Sequence, residues 1–391
     1  MTVIAEGART PIAKLSGAFA SLSATDLGGF AITEALRRSN VEPADVDYVY
    51  MGHVLQAGTG QITARRAATN AGIALTTPAT TINKVCLSGL NTIYLAHQMI
   101  SAGEADIVVA GGMESMTNAP YLVPGARADL RAGDATMVDS LFHDGLYCTI
   151  EHCMMGEATE KYAATATISR DSQDALSAES HRRAAAATDA GILAEEIVPV
   201  SVPQRRGEPV VVSTDEGIRG ATTAEGLAKL RPAFGEGGNI TAGNASQISD
   251  GASAVIVMSE AAAAARGLTP LATIISYGQI AGPDPSLLNQ PSQAITAAIG
   301  RSELSVADID LFEINEAFAA VALASMADLG ISDTNVNVHG GAVALGHPIG
   351  ASGNRLALTL AYELRRRGGG VGAAALCGGG GQGDALLLRV G

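Results

Sequence analysis

The chain has 391 residues, of which 47% are hydrophobic and 16% are charged, a balance that excludes a disordered protein and indicates a folded enzyme of more than one domain. The formal charge is −14, from 25 Lys and Arg against 39 Asp and Glu, so we do not expect the basic surface that nucleic-acid phosphates require. The four cysteines are too few to cross-link a chain of this length, which predicts a reducing, cytoplasmic compartment.

The sequence also gives no sign of a membrane or metal partner. The N-terminal segment lacks a basic region followed by an apolar one, so a secretory signal is not expected. No apolar run reaches the roughly 18 residues that a membrane span needs. No CxxC pair indicates a zinc site, and we expect no bound metal.

The first third of the chain alternates short apolar runs with helical patterns. Residues 25–40 are predicted to form a helix with Thr25 or Asp26 as its N-cap, and residues 46–55 and 105–113 are predicted to form strands. Strands that alternate with helices indicate a mainly parallel, layered α/β domain.

The middle of the chain differs from both ends. Residues 118–247 are rich in loops, apart from an Ala-rich helix predicted over 172–190, and they are interpreted as an insertion. A buried strand and helix resume over 252–267. We therefore predict a first half made of residues 1–117 and 248–268, an inserted loop domain over 118–247, and a second half over 269–391.

The last third repeats the first in outline. A strand is predicted over 308–314, helices over 315–330 and 352–369, and two closing strands around a glycine-rich turn. Cys86 opens a helix that leads to VVAGGM, and His347 opens a helix that leads to ALCGGGG. Cys86 and His347 thus occupy similar places in two similar halves, and ligands of layered α/β folds bind where such halves meet.

The cysteine at a helix start is the first candidate for chemistry. A free cysteine is most often a small buried hydrophobe, but the positive end of a helix dipole stabilises a thiolate and can lower the pKa of Cys86. His97 lies on the apolar stripe of the same helix and is predicted to be a core histidine with a satisfied ring.

Three further residues lie in unusual contexts. His347, between Gly and Pro, is either an incidental turn residue or a general base. Cys377 precedes four glycines, which form either a plain hairpin or an oxyanion hole of bare N–H groups; a dinucleotide fingerprint is disfavoured because a strand follows. Asn315 is placed either to cap a helix or to hold a catalytic water.

These segments, taken in order, resemble the thiolases, and specifically their acetyl-CoA acetyltransferase branch. The resemblance covers the whole chain and rests on EGARTPIAK, NKVCLSGL, GGMESM, TAGNASQISDGA, NEAFAA, GHPIGASG and CGGGGQGDA. It implies a duplicated, layered α-β-α-β-α fold with an inserted loop domain. It also implies reversible condensation of two acetyl-CoA molecules to acetoacetyl-CoA and CoA, and thiolysis of short 3-ketoacyl-CoA, through an acyl-cysteine.

The resemblance implies a role for each candidate residue. Cys86 becomes the acyl-cysteine, and His347 takes its proton. Cys377 is the second acid/base, which exchanges the α-proton of the acetyl group. Asn315 positions a water that, with His347, stabilises one oxyanion or enolate. The backbone N–H groups of Cys86 and Gly379 form the second oxyanion hole.

The resemblance also implies how substrates bind. Coenzyme A and acyl-CoA are substrates, and no permanently bound cofactor is expected. The implied contacts of coenzyme A are Arg219, Ala242, Ser246, Met155 and Ala317. The loop around residues 120–145 resembles a tetramer-forming loop, so a homotetramer (a dimer of dimers) is predicted.

Two positions depart from the family pattern. Met154 stands where short-chain thiolases carry a histidine, and methionine fills space without donating a hydrogen bond. His339 stands where the family carries an asparagine. Both changes bear on the preferred acyl chain.

Three other functions are weighed against this one. A decarboxylating ketoacyl synthase pairs its cysteine with two histidines or with His and Asn, so Cys377 argues against it. A non-catalytic binding protein of the same fold should lack one of the reactive residues, and none is missing. A broader 3-ketoacyl-CoA thiolase of fatty-acid β-oxidation remains the alternative within the family.

Overall fold

The structure is a computed structural model that describes residues 1–128, 130 and 132–391. Its strands are β1 (Thr2–Arg9), β2 (Ala13–Lys14), β3 (Tyr48–Gly52), β4 (Ala79–Ile82), β5 (Ile107–Ser115), β6 (Tyr121–Leu122), β7 (Val138–Asp139), β8 (Tyr147–Cys148), β9 (Cys153–Met154), β10 (Val200–Val202), β11 (Val210–Val212), β12 (Ser249–Ser259), β13 (Ala272–Ala281), β14 (Leu311–Ile314), β15 (Gly370–Gly378) and β16 (Gln382–Val390). Its α-helices are α1 (Ala24–Arg38), α2 (Thr63–Asn70), α3 (Ser88–Ser101), α4 (Met155–Thr165), α5 (Arg170–Asp189), α6 (Ala224–Leu227), α7 (Glu260–Ala265), α8 (Gln290–Ile299), α9 (Ala319–Leu329), α10 (Ala342–Leu345) and α11 (Ser352–Arg366). No helix within these described ranges is long and apolar enough to cross a membrane.

The main sheet has the same strand pattern in both halves of the chain. Its order is β4-β3-β5-β12-β1-β13-β16-β15-β14, and β2 pairs with β12. In the first half β1, β12 and β5 pair antiparallel, and β5, β3 and β4 pair parallel. In the second half β13, β16 and β15 pair antiparallel, β15 pairs parallel with β14, and a parallel bridge from Phe312 to Val336 takes the place of β4. The predicted internal duplication is therefore present.

The expectation of a mainly parallel sheet was wrong. The strands at the centre of each half, β12 and β16, run antiparallel to both of their neighbours. In the second half the reason is local, because a tight glycine-rich turn joins β15 to β16 and such a hairpin forces antiparallel pairing.

The side chains of the sheet alternate between two buried faces. Val108 and Leu386 pack in a central core with α3 and α11, whereas Val109 packs on the α1 and α2 side. Leu387 packs in a third core with α8. Because both faces are covered, the strands carry continuous apolar runs, and the layers follow the order α-β-α-β-α with α3 and α11 in the middle.

Some local predictions differ from the structure. Ser23, and neither Thr25 nor Asp26, is the N-cap of α1, and Asp26 closes a capping box with it. His97 Nδ1 is buried without a hydrogen-bond partner among the described residues, so the prediction of a satisfied ring was wrong. The N-cap interpretation of Asn315 was also wrong, because α9 begins at Ala319 with Phe318 as its N-cap.

Glycines bring the starts of α3 and α11 together. A Cβ atom on Gly89 of α3 would lie 2.8 Å from the backbone nitrogen of Asn354, and one on Gly353 of α11 would lie 2.5 Å from that of Leu90. The two central helices therefore approach at their first turns more closely than side chains would permit. The residues that precede each helix are thereby placed side by side.

Candidate active site

Cys86 lies in the turn between β4 and α3. The residue before it, Val85, has φ +50°, a left-handed conformation that a β-branched residue rarely adopts. Ser88 Oγ accepts a hydrogen bond from the Lys84 N–H (2.8 Å) and donates one to the Val85 carbonyl (2.6 Å). The Ser88 hydroxyl thus holds the strained backbone at Val85. Cys86 follows immediately, and the N-cap of α3 is Leu87.

The resting Cys86 thiol is protonated. Burial raises its pKa to about 12, while the N–H groups of Cys86 and Gly379 oppose this rise and the charge of Glu114 adds to it. Desolvation outweighs the two N–H groups, so the pKa of this thiol does not fall below its usual value at the helix start. A base must remove the proton when the nucleophile is needed.

His347 is held as a neutral imidazole before α11. Its Nδ1 lies 2.6 Å from Ser352 Oγ, and the Ser352 hydroxyl donates its proton to the Pro348 carbonyl (3.0 Å). Nδ1 therefore carries the ring proton, and Nε2 keeps its lone pair. Burial, followed by the charge of Arg355, lowers the pKa of His347 to about 3, so the ring is unprotonated at rest.

Asn315 lies beside the free nitrogen of His347. Its Nδ2 is 3.4 Å from His347 Nε2, and its backbone N–H donates to the Ala375 carbonyl (3.0 Å). Its Oδ1 is buried and has no hydrogen-bond partner within the part of the chain that the structure describes. A buried amide oxygen of this kind has unused capacity to accept a hydrogen bond in the site.

Cys377 lies at the end of β15 and is fully buried. Burial raises the pKa of this thiol well above its usual value, and negative charge on Cys86 raises it further. The end of β15 packs closely against the residue that follows Cys86, since a Cβ on Gly378 would lie 2.6 Å from Leu87 Cγ.

Gly379 leaves open space beside the nucleophile. A Cβ at this position would lie 3.6 Å from Val85 Cγ1 and 3.9 Å from Met155 Sδ, which are ordinary contacts. Neither these neighbours nor a positive φ requires glycine here. The absence of a side chain keeps a volume free next to the N–H group that acts on the Cys86 thiol.

A cleft of about 170 Å³ leads to His347. Met155, Ser246 and Ala317 line it, and the Ser246 N–H donates to the Ala317 carbonyl (3.0 Å). Three of the five predicted coenzyme A contacts are therefore brought together next to a predicted catalytic residue. Met154 also lines this cleft.

The other two predicted contacts do not line the cleft. Ala242 and Arg219 are both exposed, and the Arg219 N–H donates to His181 Nδ1 (3.2 Å). His339, the second departure from the family pattern, does not line the cleft either. Its Nε2 lies 2.7 Å from the Glu363 carboxylate.

Sequence reasoning missed two buried carboxylates that fix the catalytic loops. Glu114 accepts hydrogen bonds from the N–H groups of Val54, Leu55 and Gly350 at 3.0–3.1 Å, and burial raises its pKa to about 8. It thereby ties the loop after β3 to the loop that carries His347. An acidic residue within the buried strand β5 was the available signal.

Glu316 performs the same task on the other side of the site. It accepts hydrogen bonds from Ser180 Oγ (2.7 Å), Asn337 Nδ2 (2.9 Å) and the Val343 N–H (3.1 Å). Because Glu316 follows Asn315 in the chain, these bonds fix the backbone that carries the Asn315 amide. The polar partners come from distant segments, which the sequence pattern does not connect.

Known proteins are similar to this chain over almost its whole length. The thiolase N-terminal domain model matches residues 2–261, and the thiolase C-terminal domain model matches residues 268–390. The chain is 55% identical to a probable acetyl-CoA acetyltransferase of Mycolicibacterium smegmatis, over 99% of this chain and 100% of that protein. It is 49% identical to an acetyl-CoA acetyltransferase of Cupriavidus necator and 47% identical to one of Pseudomonas aeruginosa, in both cases over 99% of this chain and 98% of the relative. The chain belongs to the thiolase family.

Proposed function

We propose that this protein is an acetyl-CoA C-acetyltransferase, which condenses two acetyl-CoA molecules to acetoacetyl-CoA and CoA and catalyses the reverse thiolysis. The proposal is supported by the surroundings of one cleft: His347 lines it, Cys86 packs against the cluster of Ile349, and Cys377 lies in the cluster of Ala317, and both of these apolar residues also line the cleft. The names of the relatives support the choice of acetyl-CoA as substrate.

The first half-reaction forms an acetyl-cysteine. His347 Nε2 takes the proton of Cys86 as the sulfur attacks the thioester carbonyl of acetyl-CoA. The negative charge on the carbonyl oxygen is stabilised by the N–H groups of Cys86 and Gly379. The intermediate collapses by breaking the bond to the coenzyme A sulfur, which leaves with the proton that His347 had taken.

The second half-reaction forms the carbon–carbon bond. Cys377 first passes its proton to His347 and then, as thiolate, takes an α-proton from a second acetyl-CoA, and the enolate oxygen lies near His347 and a water held by Asn315. The unpartnered Oδ1 of Asn315 supports this role for the amide. The enolate carbon attacks the acetyl-cysteine carbonyl, and the Cys86 sulfur leaves and regains its proton from His347.

We also propose a homotetramer that forms through the loop at residues 120–145, of which residues 129 and 131 lie outside the described residues. Large apolar side chains in this loop are exposed, including Tyr121 (62%) and Met137 (63%), as an assembly surface requires. Light scattering should give four times the 39.5 kDa mass of the chain, whereas a monomer mass would contradict the proposal.

The pH dependence of acetyl transfer tests the neutral Cys86–His347 pair. A pKa lowered to about 3 keeps His347 unprotonated, and a pKa raised to about 12 keeps Cys86 protonated, so one protonation state persists at intermediate pH. We expect the single-turnover rate of CoA release to be constant within about twofold from about pH 5.5 to 7, below the pKa of about 8 of Glu114. A histidine with an ordinary pKa near 6.5 should instead lose about tenfold at the acidic end, and that result would contradict the assignment.

The role of Cys377 is tested by separating the two half-reactions. Cys377→Ala should still form acetyl-Cys86, because the nucleophile, the base and the N–H groups of Cys86 and Gly379 remain. Condensation and thiolysis should fall by roughly 100- to 10,000-fold, because no group handles the α-proton. Mass spectrometry measures the acetyl group and steady-state assays measure the rest. Cys153→Ala serves as the matched control and should retain both half-reactions; near-normal thiolysis by Cys377→Ala would refute the role.

The length of the preferred acyl chain is tested by thiolysis of 3-ketoacyl-CoA substrates from C4 to C16. Met154 and Met155 line a cleft of only about 170 Å³, so long acyl chains would overpack it. We therefore expect kcat/KM to be highest at C4–C6 and to fall steeply by C10. In an open channel, each added CH₂ would instead contribute about 0.8 kcal/mol of favourable binding free energy, and kcat/KM would rise with chain length. Met154→His, which restores the family residue, should narrow the preference towards C4. A maximum at C10 or beyond would favour a fatty-acid-degrading thiolase.

A further inference from the structure

A largely buried ion pair lies beside the turn of residues 83–87, which carries Cys86 and is called the nucleophile turn below. Lys84 Nζ is 2.7 and 2.9 Å from the two carboxylate oxygens of Asp384, and the Tyr277 hydroxyl donates to Asp384 Oδ2 at 2.6 Å. The Asp384 side chain has no exposed surface, and that of Lys84 is 21% exposed. The Lys84 ammonium and the Tyr277 hydroxyl thus both donate to this carboxylate, and neither belongs to the proposed catalytic residues.

The ion pair connects the two segments that carry the reactive groups. Lys84 stands two residues before Cys86 in the chain. Asp384 lies on β16 directly opposite Leu376 of β15, which precedes Cys377. The pair thus joins the turn that holds the nucleophile to the hairpin that holds the second thiol and Gly379.

Tyr277 extends this connection back to the helix that follows the nucleophile. Its ring stacks on that of Tyr94 of α3, with the centroids 4.2 Å apart and the planes 8° from parallel. Hydrogen bonds and ring stacking therefore connect Lys84 through Asp384 and Tyr277 to α3, so both ends of the nucleophile turn are held. A strained residue such as Val85 persists only when its surroundings over-determine its position, and these contacts supply such a constraint.

The constraint matters because the two donors of the oxyanion hole come from different segments. The Cys86 N–H belongs to the nucleophile turn, and the Gly379 N–H belongs to the hairpin after β15. We infer that Lys84, Asp384 and Tyr277 are positioning residues that set the separation of these two N–H groups. A buried ion pair is rarely more stabilising than an apolar pair of similar volume, so stability alone does not explain why charges are placed here.

The test uses Lys84→Met, which keeps the length of the side chain and removes its charge. The inference rests on the proposed function, because it assigns the hole to a thioester carbonyl. We expect kcat for acetyl transfer to fall by roughly 10- to 100-fold with KM changed by less than about twofold, since a misplaced donor weakens binding of the transition state and spares the substrate.

A spectroscopic measurement separates positioning from a structural role. In a Cys377→Ala background, the infrared stretch of a ¹³C-labelled acetyl group on Cys86 reports the hydrogen bonds to its carbonyl. Lys84→Met should move this stretch to higher wavenumber, and Tyr277→Phe, which removes one bond to Asp384, should move it less in the same direction. Arg266→Met breaks an exposed ion pair to Asp45 far from the site and should leave the stretch and the rate unchanged.

The outcomes are distinct. An unchanged stretch and rate in folded Lys84→Met and Tyr277→Phe, with only a lower melting temperature, would overturn the inference. If Lys84→Met does not fold, the carbonyl stretch and the rate of Tyr277→Phe decide between a positioning and a structural role, because removal of a hydroxyl preserves the packing. If acetyl-CoA fails to acetylate the parent enzyme, the proposed function fails. The carbonyl stretch can still be read after chemical acetylation of Cys86 with p-nitrophenyl acetate, so the positioning role is tested separately.

Discussion

The site depends on one close backbone contact, the approach of the Gly350 carbonyl to the first half of the fold. A Cβ on Gly52 of β3 would lie 2.6 Å from this oxygen, one on Gly89 would lie 2.9 Å from it, and one on Gly112 of β5 would lie closer still. Glu114 accepts the N–H of Gly350 at 3.0 Å. The loop that carries His347 can reach the nucleophile only because three elements of the other half provide no side chains at this point.

Burial gives this arrangement its chemistry. A low-dielectric site disfavours isolated charge, so the pKa of Cys86 rises to about 12 and that of His347 falls to about 3. The machinery is therefore neutral at rest, and charge develops only on the reacting oxygen and sulfur atoms. Backbone N–H groups that already point at the Cys86 thiol stabilise such charge without reorganising, which is the most effective form of electrostatic catalysis.

The sequence predicted the fold class, the duplication and the family, because apolar periodicity and glycine placement are local signals. It failed where partners are distant in the chain. The acceptor role of Glu114 depends on Gly350, 236 residues away, and the salt bridge of Lys84 depends on Asp384, 300 residues away. The direction of β12 and the start of α9 were likewise set by tertiary packing and not by local preference.

The catalytic roles of Cys86, His347, Cys377, Asn315 and Gly379 remain predictions, although the structure places Asn315 beside His347 and the Gly379 N–H at the Cys86 thiol.

The duplication itself accounts for the equivalent places of Cys86 and His347 in the two halves. Cys86 precedes α3 and His347 precedes α11, and these helices occupy equivalent places in the two halves. Gly89 and Gly353 let their first turns touch, so the positive ends of two helix dipoles lie together. Unpaired N–H groups at such ends favour negative charge. One half could supply only a thiol or an imidazole at this point. Two equivalent helix starts that touch supply both groups, together with a positive electrostatic potential that favours the anionic states of the proposed thioester chemistry.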